Sequence, residues 1–158
     1  MNGRVGMTHV EQGPQLEDIR MLFLEYAESL RFNLCFQNFD KELAVLPGVY
    51  AKPHGRLILG EVDGRVAACI ALKPLEQGTC EMKRLFVKPE FRGRQLGLAL
   101  AQEIIDEART IGYSVMHLDT IRGTMDSAIA LYTRLGFREI PPYYANPIPN
   151  AYYMELKL

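Results

Sequence analysis

The sequence predicts a mixed α/β fold in which a central, mostly antiparallel sheet carries helices on both of its faces. Asp63-Gly64 separates two apolar segments of strand length, which is typical of a hairpin with a two-residue turn. Residues 95–111 have apolar side chains at helical spacing between two strand-like segments, which is typical of a right-handed parallel crossover. The length of 158 residues fits one domain, 1–158, with a single core.

The individual elements follow from periodicity and from the residues that end them. Helical spacing predicts a first helix over residues 16–34 and a short second helix over 39–46, ended by Pro47-Gly48. Pro89 ends the third strand because proline cannot donate to a ladder. The predicted strands are 56–62, 65–72, 80–87, 115–120, 137–140 and 152–158, and the later helices are 95–111 and 126–135.

Composition excludes several classes of protein. The formal net charge of -1 argues against a protein that coats nucleic acid, which would carry a basic excess. No apolar run approaches the roughly 20 residues that span a bilayer. The three cysteines form no CxxC pair, and the three histidines show no ligand spacing. We therefore predict a cytoplasmic protein with no metal site and no nucleic-acid or membrane partner.

The loop between the third strand and the long helix has the properties of an anion site. Unpaired amides at a helix start point outward, and the helix dipole adds partial positive charge there. Gly93 and Gly97 leave the backbone accessible, while Arg92 and Arg94 supply counter-charge. The alternative is a solvated basic loop with a glycine at its turn. Neither a P-loop nor a GxGxxG pattern is present.

The order of three segments resembles the GCN5-related N-acetyltransferase (GNAT) superfamily over residues 57–158. These segments are EMKRLFVKPEFRGRQLGLAL, then LDT, then AIALYTRLGF. The resemblance implies the GNAT fold and an N-acyltransferase that moves an acyl group directly from acetyl-CoA (coenzyme A) to a primary amine. The acceptor would be a small molecule, an amino acid or a peptide amine.

The resemblance also implies the cofactor-binding residues. The loop pattern Arg/Gln-x-x-Gly-x-Gly/Ala begins at Arg92 and ends at Gly97. Gln95 replaces the central glycine of the pattern, and this replacement is tolerable if Gln95 needs no positive φ. Many members carry an asparagine where this chain has Met125. The implied cofactor-binding set is Leu85, Phe86, Val87, Arg92, Gly93, Arg94, Gln95, Leu96, Gly97, Leu98 and Tyr132.

Aminolysis of a thioester needs a proton acceptor for the amine and a proton donor for the leaving thiolate. By the resemblance, Tyr132 is the proton donor near the coenzyme sulfur, and a core tyrosine is the alternative. Glu81 is the candidate base on the strand that flanks the acyl group, unless it only pairs with a lysine across the sheet. His117 and Asp119 are further candidates on one strand face, Asp119 alternatively as a helix cap. Water alone could also serve.

By the resemblance, the acceptor pocket is expected between the first two helices and the last strand connection. Its candidate residues are Phe32, Asn33, Asp119, Tyr143 and Tyr144, with plain core packing as the alternative for the aromatic ones. A homodimer is possible if the final strand is exposed and adds to the same strand of a second copy. Two alternative functions stay open at this point: a non-catalytic acyl-CoA-binding sensor of the same fold, and a generic phosphate-binding protein.

Overall fold

The computed structural model describes residues 3–30 and 38–158. Its strands are β1 (Val5–His9), β2 (Arg56–Val62), β3 (Arg65–Pro74), β4 (Thr79–Val87), β5 (Val115–Ile121), β6 (Arg138–Ile140) and β7 (Ala151–Lys157). Its α-helices are α1 (Gln15–Ser29), α2 (Phe39–Ala44), α3 (Leu96–Ile111) and α4 (Asp126–Arg134). Short 3₁₀ turns lie at Gly48–Tyr50 and Pro89–Phe91.

The strands of the described ranges form one sheet in the order β1-β2-β3-β4-β5-β7-β6. Every neighbouring pair is antiparallel except β4 and β5, which are parallel and joined through α3. The predicted mixed, mostly antiparallel sheet is confirmed. The condition set for a homodimer, an exposed final strand, is not met, because β7 pairs with β5 on one side and β6 on the other.

Strand alternation sends side chains to two separate cores, one on each face of the sheet. On β2, Ile58 joins the core beneath α3, whereas Leu57 and Leu59 join the core beneath α1. The fully buried side chains that anchor the helices are Leu100, Ala101 and Ile104 on α3 and Ile19, Leu22 and Phe23 on α1. Burying a large aliphatic or aromatic side chain contributes about 1.5–3 kcal/mol, so these two faces hold the helices in place.

Two elements differ from the sequence prediction. Helix α1 ends at Ser29 and not at residue 34, because Leu30 is already extended at φ -85°, ψ 133°. Leu30 continues the apolar spacing because it is buried as part of the core, not because it is helical. Strand β1 is absent from the prediction because its half-exposed side chains give no alternation; it forms by pairing with β2, more than 45 residues away.

The strands β4 and β5 separate soon after they pair. Their ladder is limited to Thr79–Glu81 against Val115–His117, although both strands continue beyond it. On its other side β4 has a bulge: Cys69 of β3 pairs with Phe86, and Ala71 pairs with Lys83. Such an irregularity bends its strand and increases the local twist. The result is an open edge of β4 that faces β5 in the middle of the sheet.

Arg84 lies in this bulge with a positive φ of 62°. Its buried guanidinium donates from Nε and Nη2 to the two carboxylate oxygens of Glu42 on α2, at 3.0 and 2.9 Å. It also stands over the rings of Phe39 and Tyr26, 5.2 and 5.9 Å from their centroids. A bidentate arginine–carboxylate pair fixes both partners, so α2 is attached to the bulge.

We expect Glu42→Ala to lower the free energy of unfolding by about 3 kcal/mol, because it leaves the Arg84 guanidinium buried without its counter-charge. The measurement is urea unfolding followed by circular dichroism. The control is Asp106→Ala, which breaks an exposed pair with Arg109 and should change stability by less than about 1 kcal/mol. Equal losses in the two variants would show that the Arg84–Glu42 pair adds nothing particular to the fold.

Candidate active site

Three connected spaces surround the opening between β4 and β5. The first, the strand cleft, lies between the two strands and is lined by Tyr26, Leu30, Met82, Lys83, Arg84, Leu85, Leu118, Asp119, Thr120, Ile121, Met125, Tyr132 and Asn146. The second, the helix groove, runs from the strand cleft toward the start of α3. The third, the lateral cleft, opens at the opposite end toward the connection between β6 and β7.

The helix groove has a volume of about 380 Å³ and ends at the predicted anion loop. Its lining includes five predicted cofactor residues, namely Leu85, Phe86, Val87, Arg92 and Gly97. The Nε of Arg92 donates to the Val87 carbonyl at 3.0 Å, which ties the loop to the end of β4. Arg94 turns instead toward the Phe91 ring, 5.8 Å from its centroid, and Leu96 is buried in the core. The structure therefore gathers part of the predicted set around the groove.

Gly97, in the first turn of α3, has room for a side chain as far as the protein is concerned. A Cβ built there would meet only Leu131 and Val87, each at an ordinary contact distance of 3.8 Å. Protein packing does not require glycine at this position, and glycine costs a helix about 1 kcal/mol relative to alanine. The absent side chain instead leaves the backbone of the first helical turn open to the groove.

Gln95 adopts the left-handed conformation, with φ 58° and ψ 21°, immediately before α3. The condition under which glutamine would be tolerated here, the absence of a positive φ, is therefore not met. The loop must reverse direction between β4 and α3, and it does so through left-handed residues at both Gly93 (φ 82°) and Gln95. A side chain in this conformation costs roughly 1–2 kcal/mol, which explains why a glycine suits the position.

Tyr132 on α4 reaches the strand cleft from the core side. It is only 6% exposed, packs against Phe137 at 5.7 Å between ring centroids, and still lines the cleft. Burial raises the pKa of its hydroxyl well above the usual value, and the nearby Tyr26 and Asp119 act in the same direction. The hydroxyl therefore remains a proton donor at neutral pH. The core and proton-donor interpretations are compatible in this position.

The lateral cleft has a volume of about 600 Å³ and contains several charged groups. Glu81 on β4 and Asp119 on β5 have side chains only 4% and 9% exposed, and the Lys83 ammonium lies 3.8 Å from a carboxylate oxygen of each. Burial lowers the pKa of Lys83, while the two carboxylates act in the opposite direction. Lys73, opposite Glu81 on β3, also comes within 3.8 Å of it, so the predicted cross-sheet pair is present.

The connection between β6 and β7 is tied to both carboxylates by tyrosines. Tyr143 donates its hydroxyl to Glu81 at 2.6 Å, and Tyr144 donates to Asp119, which also accepts from the Asn146 amide at 3.1 Å. Tyr153 on β7 supports the connection by donating to the Tyr144 carbonyl at 2.9 Å. Asp119 is thus held by this connection and does not cap α4, whose N-cap is Met125.

The chain matches a known protein family over most of its length. The model of the acetyltransferase (GNAT) family matches residues 16–137. The chain belongs to the GNAT family of acetyltransferases. As a GNAT enzyme it is an acyl-CoA-dependent N-acetyltransferase, and acetyl-CoA is its cosubstrate, as the sequence motifs predicted.

Individual relatives agree with this family assignment. An uncharacterized N-acetyltransferase of Schizosaccharomyces pombe is 42% identical over 156 residues, covering 98% of this chain and 95% of the relative. An acetyltransferase structure from Streptococcus agalactiae has a TM-score of 0.76 at 21% identity and covers 98% of both chains. The PaiA N-acetyltransferase of Thermoplasma acidophilum, solved with coenzyme A, has a TM-score of 0.71 at 16% identity and covers 98% of this chain and 99% of its own. The predicted GNAT fold is confirmed.

Several residues of this GNAT site were not predicted from the sequence. Lys83, Arg84 and Glu42 all line the lateral cleft, and the sequence analysis named none of them as site residues. The available signal was two consecutive cations, Lys83-Arg84, between the apolar residues Met82 and Leu85 of a predicted strand. The predicted Phe32 and Asn33 lie outside the described residues. His117 lines the cleft, but its Nε2 is 2.9 Å from Glu155 and its ring stacks on Tyr143.

Outside the cleft, the fold brings together a group that sequence spacing did not indicate. His9 on β1 lies near Glu103 and Glu107 on α3, with ring nitrogens 3.4 and 3.6 Å from their oxygens. Two different ring nitrogens face the two carboxylates, and Arg56 donates to Glu107 at 2.7 Å. This arrangement is a polar cluster between β1, the start of β2 and α3. No helix of the described ranges is long and apolar enough to cross a membrane.

We expect Gln95→Gly to raise the free energy of unfolding by roughly 1 kcal/mol, because glycine adopts the left-handed conformation without a Cβ clash. The matched control is Gln102→Gly at an exposed position inside α3, which should lower it by about 1 kcal/mol. Both are measured by urea unfolding. A similar decrease in the free energy of unfolding in both variants would contradict the assignment of backbone strain to Gln95.

Proposed function

We propose that the protein transfers an acetyl group directly from acetyl-CoA to a primary amine of a small molecule, an amino acid or a peptide. The observation that carries this proposal is that neighbouring spaces share lining residues. Leu85 and Met125 line both the helix groove and the strand cleft, while Lys83 and Arg84 line both the strand cleft and the lateral cleft. One path therefore leads from the anion loop, past Tyr132, to the carboxylates.

The residues along this path fit the parts of acetyl-CoA in order. The amides at the start of α3, beside Gly97 and Arg92, would hold the pyrophosphate, because a helix N-terminus favours anions. The open edge of β4 at Leu85–Val87 would receive the amide-bearing pantetheine arm, since this edge has no partner strand there. Acetyl-CoA, when bound, supplies the thioester that the amine attacks.

Direct transfer is favoured over an acylated cysteine. Cys69 and Cys80 are both fully buried, and burial raises the pKa of Cys80 to about 12 and that of Cys69 further. A thiol must ionise to act as a nucleophile. Neither of these two cysteines is therefore suited to carry the acetyl group; Cys35 lies outside the described residues.

The proton transfers follow from the two ends of the path. A free alkylamine has a pKa near ~10.4, so an acceptor enters as an ammonium and must lose a proton before it attacks. Glu81, which lines the lateral cleft, is the proposed proton acceptor, directly or through water. At the other end, Tyr132 donates a proton to the departing sulfur. A sensor without turnover has no use for this second group, which argues for the catalytic role.

We expect Gly97→Glu to weaken acetyl-CoA binding at least about tenfold, because a side chain longer than the alanine that the family pattern accepts would extend into the helix groove and place a negative charge beside the anion loop. Arg92→Ala should weaken binding by a similar factor through loss of a charge-assisted contact. The measurement is calorimetric titration with acetyl-CoA and, separately, ATP. Arg109→Ala, which removes the same charge at the far end of α3, is the control and should bind as the wild type does.

Loss of the Tyr132 hydroxyl should lower the rate of catalysis with little effect on binding. We expect Tyr132→Phe to reduce kcat by about 10²-fold, the usual contribution of a positioned proton donor, with an unchanged Kd for acetyl-CoA. Thiol release is measured with a library of primary amines. Tyr113→Phe, which removes a hydroxyl bonded to the His54 carbonyl away from the cleft, is the matched control. Full activity of Tyr132→Phe would exclude the hydroxyl as the proton donor.

A further inference from the structure

The Lys83 ammonium occupies a position between carboxylates of two neighbouring strands. Its Nζ lies 3.8 Å from Oε1 of Glu81 on β4 and 3.8 Å from Oδ1 of Asp119 on β5. Register explains this meeting: Glu81 is opposite His117, so Asp119, two residues further along β5, projects from the same face. Beyond this pair the two strands separate, and Lys83 lies at the junction of the strand cleft and the lateral cleft.

Two nearly buried carboxylates that both approach one ammonium group carry like charges that need compensation. Like charges that share a buried site push one of the groups toward its protonated form. The second oxygens of Glu81 and Asp119 accept hydrogen bonds from Tyr143 and Tyr144, which are neutral and hold the carboxylates in place without balancing their charge. A cation is needed, and Lys83 is in contact with both.

Among the described residues, the other charged and titratable groups around the pair are committed elsewhere or touch only one carboxylate. Lys73 on β3 approaches Glu81 alone, and its side chain is 31% exposed. The Arg84 guanidinium pairs with Glu42, and His117 pairs with Glu155. On the side of α1 and α4, Asp119 interacts electrostatically with the phenols of Tyr26 and Tyr132, whose pKa values burial raises.

We propose that Lys83 is a positioning residue that keeps Glu81 and Asp119 ionised together at neutral pH, so that a carboxylate is ready to take the proton of the acceptor ammonium. This inference rests on the proposed function for its catalytic consequence. The effect of the Lys83 charge on Glu81 and Asp119 concerns only these three side chains, so it can be tested without turnover. Lys83 acts through the carboxylates and is not itself the proton acceptor.

The first test is the pH profile of kcat/KM for Lys83→Met and Lys83→Arg with the best amine found by thiol release. In Lys83→Met the carboxylates have no cation between them, one keeps its proton to a higher pH, and the acidic limb moves up by about one pH unit or more. Lys83→Arg retains the positive charge, so the acidic limb of its pH profile should lie at the same pH as in the wild type. A Lys83→Met profile that is lower at every pH but unmoved would overturn the proposal, as would an equal shift in Lys83→Arg.

Two further variants separate charge from packing. Lys73→Met removes the more exposed lysine and should move the limb less than Lys83→Met, because it leaves the contact with Asp119 intact. The double variant Lys83→Met with Asp119→Asn removes the cation together with one of the two like charges. It should return the limb toward the wild-type position. A limb that stays displaced in the double variant contradicts the charge argument.

A second readout is independent of activity. Carbon-13 NMR titration of the side-chain carboxyls of Glu81 and Asp119 should show one midpoint raised by about one pH unit or more in Lys83→Met relative to wild type. Lys83→Gln, which is neutral but can still donate a hydrogen bond, serves if Lys83→Met does not fold, and should show the same rise. Unchanged midpoints overturn the inference. If the midpoint rises in Lys83→Met but the wild type releases no thiol with any amine, the proposed function is overturned and the electrostatic role of Lys83 stands.

Discussion

The early separation of β4 from β5 is the constraint on which the rest of the site depends. A continuous parallel ladder would consume the main-chain groups of β4 and leave no space in the middle of the sheet. Here the ladder stops at Glu81, and the bulge at Arg84 bends β4 on its other side. The same opening exposes an unpaired strand edge, admits Tyr132 from one face and connects the helix groove to the lateral cleft.

Opening a sheet in its middle brings charged side chains into a nearly buried environment, and the structure balances them in separate groups. Arg84 is matched by Glu42, which at the same time attaches α2 to the bulge. Glu81 and Asp119 are matched chiefly by Lys83, with tyrosine hydroxyls on their remaining oxygens. Removing one partner from such a group lowers the free energy of unfolding by more than the intact group contributes to it, because a buried charge is left without its partner. The positions of the side chains in the cleft therefore depend on the balance of their charges.

The start of α3 shows a different compromise, between backbone stability and access for a ligand. Gly97 gives up helix propensity at a place where a methyl group would fit the protein, and Gln95 holds a left-handed conformation that favours glycine. Both departures from local preference lie where the loop must turn and present its amides. Residues that break a local rule without a packing reason are expected at sites of function.

The sequence by itself determined the elements that arise from local periodicity and turn chemistry, including the hairpin at Asp63-Gly64, the crossover through α3 and the loop at Arg92. It also determined the family, through motif resemblance. Only the tertiary structure decided the strand β1, the register of β5 and the contacts of Lys83 and Arg84, whose partners are 36 and 42 residues away in the chain. The physical reason is that charge pairing and edge pairing depend on which strands become neighbours, and no short-range pattern records that choice.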